Sequence, residues 1–307
     1  MKNIVLKAPA TIANFGPGFD IFSLALEKPN DIVKVGLNNT NSISIRIKGE
    51  EGEIPLSAAE NTAGLAAAHF MRRVKISAGV EIEIEKGMQS CSGLGSSGAS
   101  AAASVYALNE LLDTELEANE LIDIARQGEV VSGGSAHADN VAGCLLGGFV
   151  LIRSYDPLDA VKIEVPPIPL VMCVIKKTRR TTRGLIPESI GLEKVTRQMA
   201  YCASLIHALV SGDLEWIGKA VNNDLISEPA RSTSIPGYDE IKKKVLDAGA
   251  YGFNISGGGS SIFAICDEKK RDEVAEVLRE FSRQFVPESE VIITRASNAG
   301  LRKIDGL

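Results

Sequence analysis

Isoleucine alternates with polar residues at Ile43, Ile45 and Ile47, and Val80, Ile82 and Ile84 alternate with Glu81, Glu83 and Glu85. A period of two belongs to a strand with one wet face, so strands are predicted over 42–48 and 80–85. Asn61 to Val74 and Ser96 to Leu112 are dense in Ala and Leu and predict helices. Another helix is predicted over Glu117 to Val131, with Leu121, Ile124 and Ala125 on one face. The longest apolar run, Cys144 to Ile152, is broken by Gly147 and Gly148 and predicts a buried strand.

Pro157, Pro166, Pro167 and Pro169 then crowd a short stretch, which predicts a junction dividing the chain into domains over 1–160 and 161–307. Beyond it the pattern predicts a strand over 170–176 and helices over 193–222 and 238–248. A strand over 251–256, a glycine turn, a strand over 261–266, a helix over 269–285 and a strand over 290–295 complete the chain. The order β-α-β-β-α-β is the split βαβ, ferredoxin-like pattern, with extra helix in the first crossover.

The length of 307 residues fits two domains, and 45% apolar with 23% charged residues is the balance of a soluble globular protein. Lys and Arg number 33 against 39 Asp and Glu, a net charge of -6, which argues against a general nucleic-acid binder. No stretch reaches the roughly 18 to 20 apolar residues of a membrane span, so no membrane partner is expected. Asn14, Gly16, Pro17 and Asp20 interrupt any signal-peptide core. Five scattered cysteines without a CxxC pair fit a reducing cytoplasm, and three histidines without metal-ligand spacing give no zinc site.

The richest segment chemically is Ser92-Gly93-Leu94-Gly95-Ser96-Ser97-Gly98, placed after a strand and at the head of an alanine-rich helix. Glycines let backbone approach a ligand, and a helix start offers unpaired N–H groups with a positive dipole end, so the segment reads as a phosphate site. Ser96 or Ser97 could cap the helix, and a serine hydroxyl there can reach Mg²⁺. The dinucleotide fingerprint is matched by its glycines, but a second helix follows where a strand with a ribose-binding acid is required. A Walker loop would need lysine where Ala99 stands, and the hydrolase elbow fails at its last glycine. A serine-capped helix packed closely through small residues is the alternative.

Gly93-Leu94-Gly95-Ser96-Ser97 resembles the phosphate loop of the GHMP kinases, and other segments resemble the homoserine kinase branch of that family. These are Ala8 to Asp20 (APATIANFGPGFD), Ser135 to Gly143 (SAHADNVAG), and Thr182 to Pro187 (TRGLIP). Asp224 to Arg231 (DLISEPAR) with Ile235-Pro236-Gly237-Tyr238, and Ser256 to Ser261 (SGGGSS), complete the set. The matches run in family order over essentially the whole chain. Two positions depart: no proline precedes the phosphate loop at Gln89 to Ser92, and Ser260 stands where proline is usual.

The resemblance implies an α+β, two-domain GHMP kinase fold, with an N-terminal ribosomal-protein-S5-domain-2-like domain and a C-terminal ferredoxin-like domain. It implies transfer of phosphate from ATP to the side-chain hydroxyl of L-homoserine, with Mg²⁺ held by Ser97 and Glu129 and ATP held by Ser92 to Gly98. Arg183 and Arg231 are the candidates for the substrate carboxylate, since guanidinium forks bind carboxylates bidentately. Asp20, with Asn14, is the candidate for the ammonium, and His137, Asp139 and Asn140 for the rest of the pocket. Asn140, Glu129 and Arg183 are expected to carry the transfer, without a strong base. Taken alone, Glu129 reads as a solvated helix face, the run Lys176, Lys177, Arg179, Arg180, Arg183 as a solvated loop, and Arg231 as a structural ion pair. Gly257 to Ser261 alone reads as a hairpin turn, and Trp216 as core. Another GHMP kinase of mevalonate type and a ligand-sensing protein on the same scaffold are the other readings. A homodimer is the expected assembly.

Overall fold

The computed structural model describes residues 2–50, 52–176 and 182–304, which leaves Lys177, Arg179 and Arg180 outside the described residues. The first sheet is built from β1 (Asn3–Ala13), β2 (Phe22–Asn38), β3 (Ile43–Lys48), β4 (Gly79–Glu85), β5 (Phe149–Tyr155) and β6 (Leu158–Ile163). Two of the strands the alternation predicts are β3 and β4, and they pair in parallel, Ile43 opposite Val80. Strand β2 pairs with β1 along one edge and is long enough to serve two neighbours on the other, β4 along 32–38 and β5 along 22–24. Five helices are interspersed among these strands: α1 (Thr62–Val74), α2 (Ser96–Leu111), α3 (Ala118–Arg126), α4 (Val130–Gly133) and α5 (Asp139–Leu146).

The helix predicted over 117–131 is interrupted. It stops at Arg126, continues as a 3-10 turn over Gln127–Glu129, and resumes as α4. The apolar run 144–152 is likewise not one strand: its first residues finish α5, Gly147 and Gly148 turn the chain with φ of 72° and 69°, and only then does β5 begin.

The second sheet is antiparallel, in the order β10-β7-β9-β8, from β7 (Pro169–Val174), β8 (Gly252–Ile255), β9 (Ile262–Ile265) and β10 (Glu290–Arg295). The first crossover carries α6 (Leu192–Ser211), α7 (Leu214–Val221), α8 (Ser227–Arg231) and α9 (Tyr238–Asp247), and the second carries α10 (Arg271–Phe285). This is the split βαβ arrangement with both faces covered. Leu170, Met172 and Val174 of β7 join a core shared with the first sheet, α6 and α7, while Val171, Cys173 and Ile175 face α9 and α10. The period of two thus fills two cores from one strand. A short β11 (Arg302–Lys303) returns to the first sheet beside β1.

Between the sheets the rings of Phe15 and Phe263 stack at 5.5 Å, tying the loop after β1 to the second sheet. Trp216, expected in the core, stays 39% exposed at the start of α7 and touches His207 edge-on. All five cysteines are free thiols. No helix among the described residues is long and apolar enough to cross a membrane.

Candidate active site

A cleft of about 730 Å³ lies where the two sheets meet. Every site residue expected from the sequence lines it except Gly98, whose missing side chain lets α2 pack on Asn140, 3.0 Å from where a Cβ would sit.

At one end is the glycine-serine loop expected to bind phosphate. Gly95 begins α2 with φ 72° and no side chain caps the helix, so the expected serine cap is not made. Both hydroxyls are used elsewhere: Ser96 donates to Asp31 (3.1 Å) and Ser97 donates to Glu129 (3.0 Å). The helix start is thereby left to face the cleft with its amides and dipole. Beneath it, Asp31 and Lys86 form an ion pair with side chains 0% and 3% exposed. Asp31 also accepts from the Gly87 and Met88 amides at 2.9 and 3.0 Å.

The second glycine-rich segment buttresses this loop from the other sheet. The Ser256 hydroxyl donates to the Gly93 carbonyl (2.7 Å), and a Cβ on Gly259 would lie 2.6 Å from the Gly93 Cα. Only glycine at both positions permits that approach. Ser260, in place of the usual proline, donates its hydroxyl to the Ile175 carbonyl (2.9 Å) and so ties the turn to the end of β7. Cys91, in the segment lacking the other proline, takes φ 58°.

Glu129 is 6% exposed in the 3-10 turn after α3, so the solvated-face alternative does not hold. Burial raises its carboxyl to about 7, with the Ser97 hydrogen bond acting the other way. Its Oε1 is buried without a hydrogen-bond partner among the described residues. An orphaned carboxylate oxygen beside a serine hydroxyl at a phosphate loop is the donor set a hard divalent cation shared with phosphate oxygens would use, so the residues fit Mg²⁺.

The other end is made of charged side chains. Asp20 meets Arg183 at 2.5 Å and stands 3.6 Å from His137 Nδ1. Arg231, 4% exposed, donates through Nη1 to the Ser227 hydroxyl and the Gly257 carbonyl, both at 2.8 Å. Its Nε is buried with no partner among the described residues, and burial first, then nearby Arg183, lowers its pKa while Asp20 raises it. Arg231 therefore forms no short ion pair among the described residues and is not the structural salt bridge its sequence context allowed. Asn14 shapes the loop: its carbonyl oxygen accepts from the Asp20 amide (3.0 Å) and its amide donates to Ser227 (3.3 Å). Between the two ends, Asn140 accepts from the Thr11 hydroxyl (2.7 Å), and Asp139, its carboxyl held above the usual range by burial, accepts from the Asn140 amide (2.8 Å).

Three participants escape a reading of the sequence. Asp31 was visible only as a lone acid beside the apolar positions of β2, and Lys86 as one cation after β4. Gln198 gave no signal within an amphipathic helix. Buried at 6%, it donates to Pro17 O (2.6 Å) and Asp224 (3.2 Å) and accepts from the Leu225 amide (2.9 Å). It thus joins the Asp20 loop to the Arg231 turn.

A glycine-rich helix start and a charged pocket thus stand on a split βαβ domain packed against a larger sheet, and two family profiles match this chain. GHMP kinases N terminal domain matches residues 61–148, and GHMP kinases C terminal matches residues 205–285. The chain belongs to the GHMP kinases. A homoserine kinase of Methanococcus maripaludis is 40% identical over 282 residues, 91% of this chain and 93% of its own length. One of Chloroherpeton thalassium is 36% identical over 318 residues, covering 98% and 99%. The crystal structure of homoserine kinase from Cytophaga hutchinsonii superposes with a TM-score of 0.89 at 38% identity, covering 99% of this chain and 98% of that one. Within the family, the chain stands with the homoserine kinases.

Proposed function

We propose that the chain transfers the γ-phosphoryl group of ATP to the side-chain hydroxyl of L-homoserine, giving O-phospho-L-homoserine in the cytoplasm, as a homodimer. The observation that carries this is a single cleft with two unlike ends. A helix start suited to a polyphosphate lies at one, and two arginines with an aspartate, suited to an amino-acid zwitterion, lie at the other. A neutral sugar would bring no opposite charge to these groups, which costs affinity.

Backbone amides of Ser92 to Gly98 hold the phosphates. Ser97 and Glu129 would hold Mg²⁺, which when bound supplies neutralisation of charge on the phosphate oxygens. Arg183 and Arg231 bind the carboxylate and Asp20 the ammonium, with Asn14 setting the Asp20 backbone. His137 stands beside Asp20 and shapes the same wall. The hydroxyl is thereby brought in line with the γ-phosphate next to Asn140, which orients it. Transfer through a loose transition state releases the proton late, so positioning and charge stabilisation suffice without a strong base.

The test is ADP release with ATP and Mg²⁺ across L-homoserine, mevalonate, galactose and L-serine, repeated in Asn140→Ala and Asp139→Asn. Turnover selective for L-homoserine and weakened most by Asn140→Ala is expected. Full kcat in Asn140→Ala with none in Asp139→Asn would replace this mechanism with base catalysis through Asp139. Mevalonate or galactose turnover would replace the substrate.

A further inference from the structure

The two guanidinium groups assigned to the carboxylate share one neighbour. The Arg183 Cζ lies 4.9 Å, and the Arg231 Cζ 5.4 Å, from the centroid of the Phe19 ring. Each arginine has its own anchor, Arg183 on Asp20 and Arg231 on Ser227 and Gly257. Two like charges brought this close repel, and the anchors on Arg231 are neutral oxygens that compensate little of it. The face of an aromatic ring carries negative charge, so one ring beside both guanidinium groups offsets part of that repulsion without consuming any N–H donor. The ring itself takes up no donor, where a further acidic side chain in the same place would occupy one.

Phe19 is only half-buried and belongs to neither hydrophobic core, so packing does not account for its place. The chain bends sharply to put it there. Asn14, Phe15 and Asp20 take φ of 67°, 40° and 61°, a region that non-glycine residues enter only where the surroundings over-determine it. That bend sets Phe19 and Asp20 next to each other, so one loop meets both arginines with a ring and one of them with a carboxylate.

We infer that Phe19 is a positioning residue for substrate recognition: its ring holds the Arg183 and Arg231 guanidinium groups side by side so that one carboxylate meets both forks. The inference rests on the zwitterion reading of this end of the cleft, but the ring's hold on the arginines belongs to the substrate-free protein and is read without substrate. If Phe19 were only an apolar wall, a leucine would replace it and the electronic character of the ring would not matter.

The experiment has two arms. In the first, KM for L-homoserine and for ATP is measured for Phe19→Leu, Phe19→Tyr and a series with one, two and three fluorines on the Phe19 ring. Losing the cation–π contacts should raise KM for L-homoserine about tenfold in Phe19→Leu, leaving KM for ATP in place. Phe19→Tyr should restore it, and KM should climb stepwise with fluorine number. A flat fluorine series, or equal rises in both KM values, overturns the inference. In the second arm, the guanidinium NMR resonances of Arg183 and Arg231 are recorded without substrate. Their ring-current displacement should vanish in Phe19→Leu, and its survival there overturns the inference. Should the intact protein prove silent on L-homoserine while that displacement is lost in Phe19→Leu, the substrate reading falls and the ring's hold on the arginines stands.

Discussion

The two ends of the cleft would meet the charged groups of the proposed substrate with different chemistry. At the phosphate loop the groups facing the cleft are mostly main chain, and the side chains there are turned to internal work: Ser96 on Asp31, Asp31 on Lys86, Ser256 on Gly93. At the amino-acid end the groups facing the cleft are side chains, and the main chain does the holding, through the Asp20 amide on Asn14 and the Gly257 carbonyl under Arg231. A backbone site is rigid because a helix and a buried ion pair define it, and a phosphate, with oxygens on every side, suits such a cradle. A zwitterion has two unlike ends at fixed separation and requires opposite charges placed separately. Those charges come from three distant segments, the loop after β1, the turn before α6 and the end of α8.

The comparison can be broken or sharpened by substitution. The largest effect is expected at Glu129, whose buried Oε1 has no hydrogen-bond partner among the described residues. Glu129→Ala should lower kcat on the order of 10³-fold, the contribution of a lost metal ligand, and change KM for L-homoserine little. Steady-state kinetics over a Mg²⁺ titration checks it, and a variant as active as the parent would remove Glu129 from the metal site.

Next in size, Arg231→Met should raise KM for L-homoserine roughly 100-fold, since a charged hydrogen-bonding group contributes about 1.5 to 3 kcal/mol. KM for ATP should not move, although Arg231 reaches Gly257 beside the phosphate loop. If both KM values rose together, the two ends would not be separable.

The smallest effect concerns pH. Burial raises the Glu129 carboxyl from 4.5 to about 7, so without metal the folded protein binds a proton there that the unfolded chain releases. Its contribution to stability is therefore complete below about pH 4.5 and is lost as pH rises through about 7. Thermal unfolding without metal or nucleotide should show Glu129→Gln losing less stability than the parent between pH 4.5 and about 7, the interval of that shift. An identical pH dependence in both would show that Glu129 does not titrate in this interval.

Much of the frame was legible along the chain because the residues concerned are neighbours in sequence. The alternating isoleucines of β3 and β4, the alanine-rich α2 and the six-element order of the second sheet each rest on local periodicity. The glycine-serine loop is readable for the same reason, since its glycines and the start of α2 are consecutive. Where local reading failed, a tertiary contact decided. The helix over 117–131 breaks at 127–129, where the 3-10 turn lies against α1, and that break turns Glu129 inward. The apolar run 144–152 divides because two glycines with positive φ let the chain reverse between α5 and β5.

By itself the sequence determined the element order of the second sheet, the glycine-serine loop at a helix start and the family motifs, all of which depend on spacing along the chain. Only the tertiary structure decided that Asp31 and Lys86 neutralise each other under the loop, that Gln198 joins the Asp20 and Arg231 segments, and that one ring touches both arginines. Such pairings join residues up to 212 positions apart, as Phe19 and Arg231 are, and arise from the packing of two sheets rather than from any local preference.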